Sequence, residues 1–231
     1  MSVVLSWSGG KDSALALWTL RAEDTEPVAL LTTINEDFER ISIHGVRREL
    51  LHAQAAAVGL PLVEVRIPTA CVNELYEERM AAALTSTVAG EPDVAGRAAP
   101  PLAEVETFAF ADLFLAGIRA YREERLAAAG RAATFPLWGR DTATLAREFV
   151  AAGFGATLVV VDTDQLDASF VGRRFDAALL DELPAGVDPC GENGEFHTFV
   201  DSGPVFAAPV PVALGELRDE GRFVYRDVLP A

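Results

Sequence analysis

Val3-Val4-Leu5-Ser6-Trp7-Ser8-Gly9-Gly10-Lys11-Asp12-Ser13-Ala14-Leu15-Ala16-Leu17 is the stretch on which the fold turns. The apolar run Val3 to Trp7 reads as a buried strand, and the run from Ala14 to Leu20 reads as a helix. Between them stand two glycines, two serines and Lys11, the only lysine of the chain among 19 basic residues. Glycines let a ligand approach the main chain, and the N–H groups of such a turn and of the next helix point at an anion. Lys11 adds a compact, rotatable ammonium. Ser8 and Ser13 add hydroxyls, and Asp12 can cap the helix or hold a magnesium ion. This is the chemistry of a phosphate site. It is not the common mononucleotide P-loop, which requires Gly where this chain has Leu5 and Ser or Thr where it has Asp12.

Outward from this stretch, strand-like runs alternate with helical ones. Val28 to Thr33, Leu62 to Ile67, Val105 to Phe110 and Ala133 to Trp138 read as strands, with helices at residues 13–22, 46–58, 70–86 and 112–129. Alternation of this kind implies a parallel sheet covered on both faces, with ligands bound beyond the carboxyl ends of the strands, where Ser8 to Ser13 sits. Val88 to Pro101 reads as a surface loop. Beyond Trp138 we expect a helix capped by Asp141, a strand from Thr157 to Val161 and a helical segment around Asp167 to Leu183. From Pro184 the periodicity ends in a polar loop and short strands. The expectation is an α/β fold in two domains, residues 1–138 and 139–231, the second smaller and of α+β type.

A second polar constellation is Asp188-Pro189-Cys190-Gly191-Glu192-Asn193-Gly194-Glu195-Phe196-His197-Thr198. If the chain is extended from Glu195, then Glu195, His197 and Asp201 share one face and Phe196, Thr198 and Val200 the other. His44, in Ser42-Ile43-His44-Gly45-Val46-Arg47, precedes a helix, and His52 falls opposite that helix's apolar stripe. Trp138-Gly139-Arg140 sets an aromatic face and a guanidinium at a strand end, suited to stacking a purine or pairing a phosphate.

Half of the 231 residues are hydrophobic, enough for a sizeable core, and 35 acidic against 19 basic residues give a net charge of −16. Such a surface repels nucleic acid, and no Lys/Arg run offsets it. Cys71 and Cys190 are isolated, without zinc-ligand or disulfide spacing. With no leader-like segment and no apolar run of membrane-span length, the expected setting is the cytoplasm, away from membranes.

Together Ser8 to Ser13, His44 to Arg47, Pro136 to Arg140, Leu166-Asp167 to Gly172-Arg173, and Gly191 to Thr198 with Asp201 and Pro204 resemble the diphthine-ammonia ligase type of ATP pyrophosphatase. The resemblance covers nearly the whole chain. Its first segment is shared by many pyrophosphate-loop enzymes, and its last is far more restricted. It implies an adenine nucleotide α-hydrolase domain, a smaller C-terminal domain and a cleft between them. It also implies ATP with magnesium, ammonium as nitrogen donor and a carboxylate acceptor, small or protein-borne, which in the ligases proper is diphthine on elongation factor two. A homodimer is admitted.

On this resemblance Ser8, Gly9, Gly10, Lys11, Asp12, Ser13, Thr33, His44, Arg47, Trp138 and Arg140 bind nucleotide, and Asp12 is the metal ligand. Arg173, Glu192, Asn193, Glu195, His197 and Asp201 face the acceptor, and Lys11, Asp12, Glu195 and His197 take part in the reaction. The closing motif of the ligases, Glu-Gly-Gly-Glu-Phe/Tyr-Glu-Thr/Ser, here has Asn193 and His197, a pattern similar to the bacterial branch, for which amidation in cobalamin salvage has been suggested. Two other readings share the fold: a nucleotide sensor without turnover, and sulfur transfer if Cys71 and Cys190 are neighbours.

Overall fold

The computed structural model describes residues 2–41, 45–69, 71–90 and 96–231. Six strands build the first sheet: β1 (Val3–Ser6), β2 (Ala29–Asn35), β3 (Arg40–Ile41), β4 (Leu62–Ile67), β5 (Thr107–Ala109) and β6 (Ala132–Thr134). Five run parallel in the order β4-β2-β1-β5-β6, and β3 pairs antiparallel with Ile34 and Asn35 at the end of β2. The apolar residues of β1 are buried because helices cover both faces. Helices α1 (Lys11–Ala22) and α2 (Arg48–Val58) lie on one face, and α3 (Asn73–Leu84) and α4 (Ala116–Ala128) on the other. The strand order reverses between β1 and β5, since the chain leaves β1 toward β2 and returns on its other side. A crevice at such a switch is the usual ligand site of an open α/β sheet.

The second sheet is antiparallel, in the order β8-β7-β10-β9. Its chain runs through α5 (Thr142–Ala151), β7 (Gly155–Asp162), α6 (Ala177–Glu182), β8 (Phe196–Ser202), β9 (Val212–Glu220) and β10 (Phe223–Pro230). Its inner residues, among them Leu158, Val160, Phe196 and Val200, join Ala14, Leu17, Leu50 and Leu51 of α1 and α2 in one continuous core. The smaller sheet is therefore welded onto the α1/α2 side of the larger one, and β8 lies along α1. That placement puts the second polar constellation beside the first.

Several expectations are corrected by packing. Helix α4 starts at Ala116 rather than at Asp112, so Phe114 lies before it; Phe114 and Ile118 are exposed, while Leu126 is in the core. The segment 167–183 is not one helix. Asp167 caps a single 3-10 turn at Ala168–Phe170, Thr157 then bridges Arg174, and Asp176 caps the short α6. Phe170, Val171 and Phe175 all reach the core from this irregular run. Strand β6 ends at Thr134, so Trp138 lies in the turn that follows it. Asp141 does cap α5, accepting from Thr144 N at 2.8 Å. Among the described residues no helix is long and apolar enough to cross a membrane.

Candidate active site

The Ser8 to Ser13 loop joins β1 to α1 at the switch point. Gly9 takes φ +75°, a left-handed conformation, and a Cβ there would lie 2.8 Å from Gln54 Oε1. Gly10, by contrast, has an ordinary extended backbone and precedes α1 without a side-chain cap, so Asp12 is not the capping residue. The Ser8 hydroxyl accepts from Gly10 N at 3.3 Å and donates to Ser13 Oγ at 3.3 Å, and Ser13 donates to Gly10 O at 2.9 Å.

The loop is held from the second sheet. Thr198 Oγ1 accepts from Lys11 N at 3.0 Å, and Val200 N donates to Gly9 O at 2.9 Å. Gln54, fully buried on α2, links the parts: its Nε2 donates to Gly9 O at 3.0 Å and to Val200 O at 2.6 Å, and its Oε1 accepts from Trp7 Nε1 at 3.0 Å. Sequence reasoning missed Gln54, which sits in an alanine-rich helix with nothing to mark it.

Lys11 is buried. Its Nζ donates to Asp12 Oδ2 at 2.7 Å and to the Cys190 carbonyl, with the rings of Phe196 and Phe175 at 5.7 and 5.9 Å. Burial opposes charge on Lys11 and pushes Asp12 up, but the carboxylate at 2.7 Å outweighs it for the lysine, whose pKa is raised and whose ammonium persists.

The loop opens on a cleft of 220 Å³ lined by Ser8, Lys11, Asp12, Asp112, Glu192 and His197, with Arg122 at its edge. Asp112 follows β5, and Arg122 comes from α4; they pair at 2.9 Å, with the guanidinium 4.2 Å from the centre of the Phe110 ring. Neither was expected, although a carboxylate just past a strand beside β1 is the signal that could have found Asp112. Burial raises Glu192 to about 7, even though one of its oxygens accepts from Leu113 N at 2.8 Å. Burial, and then the charge of Lys11, lowers His197 to about 4, so it is neutral at pH 7.

Glu195, His197 and Asp201 do not converge. Glu195 is buried and turned back into its own loop, accepting from Asp188 N at 2.9 Å, Asn193 N at 3.0 Å and Asn193 Nδ2 at 3.0 Å. Asp201 pairs with Arg174 and accepts from Ser202 Oγ at 2.7 Å. Of the three only His197 lines the cleft.

Other expected residues also lie elsewhere. Thr33 is paired with Val65 along the sheet and does not line the cleft. Arg47 joins Arg40 on Asp227, where two guanidinium hydrogen bonds overcome burial and hold the carboxyl at about 2. Trp138 stacks under Arg119 at 4.7 Å, and Arg140 pairs with Glu148 at 2.7 Å. Arg173 pairs with Glu182 at 2.8 Å. His44 lies outside the described residues.

Magnesium usually takes one or two carboxylates plus substrate phosphates, not a closed protein cage. Among the described residues no group of three or more His, Cys, Asp or Glu could hold a metal, and Asp12 in the cleft is a donor of the open kind.

The N-terminal domain model of diphthamide synthase matches residues 1–98, and its C-terminal domain model matches residues 141–225. No curated protein matches significantly. A crystal structure described as a predicted subunit of tRNA methyltransferase from Methanocaldococcus jannaschii is similar at 18% identity, covering 88% of this chain and 98% of that one, with a TM-score of 0.45. With both domains matched in order over most of its length, the chain belongs to the diphthamide-synthase-like family of ATP pyrophosphatases.

Proposed function

We propose that the protein is an ATP-dependent amide ligase that binds nucleotide through the Ser8 to Ser13 loop of residues 1–138 and carries out its reaction in the cleft that residues 139–231 complete. The observation carrying this reading is the junction of the two constellations: Thr198 and Val200 of β8 bond directly to the Ser8 to Ser13 loop, so Glu192 and His197 share a cleft with Lys11.

The loop N–H groups and Lys11 bind the β- and γ-phosphates, Asp12 being the side chain that would hold magnesium, which neutralises phosphate charge when bound. For Lys11 to reach a phosphate it exchanges the Cys190 carbonyl for the ligand. An oxygen of the acceptor carboxylate attacks the α-phosphorus, the bond to the bridging oxygen breaks, and pyrophosphate leaves. Ammonia then attacks the acyl carbon, AMP departs with the shared oxygen, and the extra proton passes to a base. Glu192, raised by burial to about 7 and lining the cleft, is suited to receive that proton, with the neutral His197 beside it.

Sulfur transfer is less well supported. The buried Cys190 thiol is pushed up to about 12 and donates to Thr142 O at 3.3 Å, while Cys71 packs against the core on the opposite face of the first sheet. A sensor without turnover has one observation in its favour, the engagement of Lys11 by Asp12 and Cys190. Incubation with ATP, magnesium, ammonium and a set of carboxylates separates these readings. A ligase yields AMP, pyrophosphate and a product one mass unit lighter than its acid, whereas a sensor binds ATP and leaves it whole.

A further inference from the structure

A second cavity, of 610 Å³, lies on the other face of the first sheet, between α3 and α4. Its floor is apolar, made by Leu31 of β2, Phe108 and Phe110 around β5, and Met80 and Leu84 of α3. That volume is in the range of small-molecule sites, and a mostly apolar lining with a few placed polar groups is their usual make-up. None of the expected nucleotide or acceptor residues lines it.

Its polar groups are ordered from end to end. Phe110 and Arg122 line both this cavity and the cleft of the phosphate loop, so they form the partition between the two. Arg122 is held on that partition by Asp112, its Nη2 donating to Asp112 Oδ1 at 3.3 Å, while the Nε to Oδ2 contact at 2.9 Å is not a well-directed hydrogen bond. Farther out, Glu77 is neutralised by Arg125 at 2.7 Å and accepts from the Tyr121 hydroxyl at 3.2 Å. Glu74 and Glu78 remain as an acidic edge. The cation therefore sits at the end next to the phosphates, and the uncompensated acids sit on the lining contributed by the exposed side of α3.

We propose that this cavity is the acceptor pocket and that its ligand is a carboxylic acid with a bulky apolar body, the body resting between α3 and α4 and the carboxylate on Arg122. The assignment rests on the ligase reading for the fate of the carboxylate, but the binding itself does not. A guanidinium takes a carboxylate through two parallel N–H bonds, and the acceptor's carboxylate takes the place on Arg122 that Asp112 now holds. The acid is then delivered to the partition, beside the loop where the α-phosphate of a bound nucleotide lies. An acidic edge repels an acid entering the wrong way round, which fixes the orientation.

The test uses the full chain and the probes 2-naphthylacetate and the matching uncharged alcohol, 2-(2-naphthyl)ethanol, followed by calorimetry without ATP. The expected result is one saturable site for the acid, with the alcohol at least tenfold weaker. Ala81→Trp, which fills the cavity from α3, should weaken the acid at least tenfold, and Ala82→Trp, one position away and off the lining, should leave it unchanged. Ala128→Trp fills the cavity from α4 and replaces Ala81→Trp if that variant loses its circular dichroism. Arg122→Gln should bring the acid down to the level of the alcohol. Equal binding by the filled variants and the wild type, or no saturable binding by the wild type, overturns the pocket. Equal binding of acid and alcohol overturns the role of Arg122. Binding as expected, with ATP left intact when it is added with ammonium, keeps the pocket and removes the ligase reading, so the two failures are distinct.

Discussion

The Nε2 of Gln54 donates to Gly9 O at 3.0 Å, from a side chain with no exposed surface. The same nitrogen reaches Val200 O, and the carbonyl oxygen takes the Trp7 indole, so one amide ties the phosphate loop to both sheets.

Replacing Gln54 by Leu keeps the volume and leaves a buried indole N–H short of its partner and the Gly9 and Val200 carbonyls each short of one donor. The expected loss is about 3 kcal/mol of stability, since buried groups left unpaired each cost roughly 1–3 kcal/mol. Urea denaturation checks this. The loop should also lose its fixed shape, so ATP affinity falls in the folded fraction.

Lys11→Ala should abolish pyrophosphate release while circular dichroism stays that of the wild type. Loss of one charged contact to a developing pyrophosphate costs about 3 kcal/mol, or ~10²-fold in rate. Lys11→Arg should fail as well, because a planar fork does not fit where a compact ammonium lies between Asp12, the Cys190 carbonyl and two phenylalanine rings.

Much of this region was legible in the sequence because local chemistry and tertiary role coincide there. Strand, glycine turn and helix follow one another as the pattern requires, and β4 and the Asp141 cap fall where turn chemistry and periodicity place them. The second constellation was legible as a cluster but not in its wiring. A period of two sets the faces of β8, yet Glu195 stands one residue before the strand and its carboxylate closes the loop, while Asp201 finds Arg174. Trp138, Arg140, Arg173 and Arg47 looked like ligand groups because isolated arginines and aromatics carry no label of their partners. Those partners, Arg119, Glu148, Glu182 and Asp227, are fixed by helix packing and long-range pairing. Arg122 was hidden for the same reason in reverse, as one charge on an amphipathic helix.

His197 gives the fold an acid-sensitive contribution. Burial and Lys11 lower its pKa from 6.5 to about 4. Between these values the unfolded chain binds a proton that the folded chain refuses, so the contribution is present above pH 6.5 and is lost as pH falls toward 4. The expected size is about 2 kcal/mol, reduced from the full shift because the cleft is partly open to solvent. His197→Gln should flatten this part of the stability profile, and the ring protons of His197 should not titrate between pH 8 and 5 by NMR.

Glu192 should make ATP affinity depend on pH near neutrality. Burial holds its carboxyl protonated up to about 7, and in the cleft its neighbours Asp12 and Asp112 are also acidic. As pH rises through 7 it gains a charge facing the polyphosphate, so binding should weaken by about tenfold, one pKa unit of coupling. Calorimetry from pH 6 to 8 checks this, and Glu192→Gln should remove the dependence.

His197→Glu, which restores the residue of the ligase motif, should impair use of this protein's own acceptor and leave ATP affinity little changed. The new carboxylate would join Glu192 and Asp12 around the cleft and repel an anionic acid, whereas the loop contacts from Thr198 and Val200 are untouched. A collapse of ATP affinity with unchanged acceptor KM would reverse this division of labour.

The most direct measurement follows ATP by phosphorus NMR with the wild-type chain, magnesium, ammonium and a mixture of apolar-bodied carboxylates. Cleavage between the α- and β-phosphates predicts AMP and pyrophosphate in equal amounts, dependent on the acids and absent in Lys11→Ala. ADP with orthophosphate, or ATP left whole across the mixture, would contradict the account.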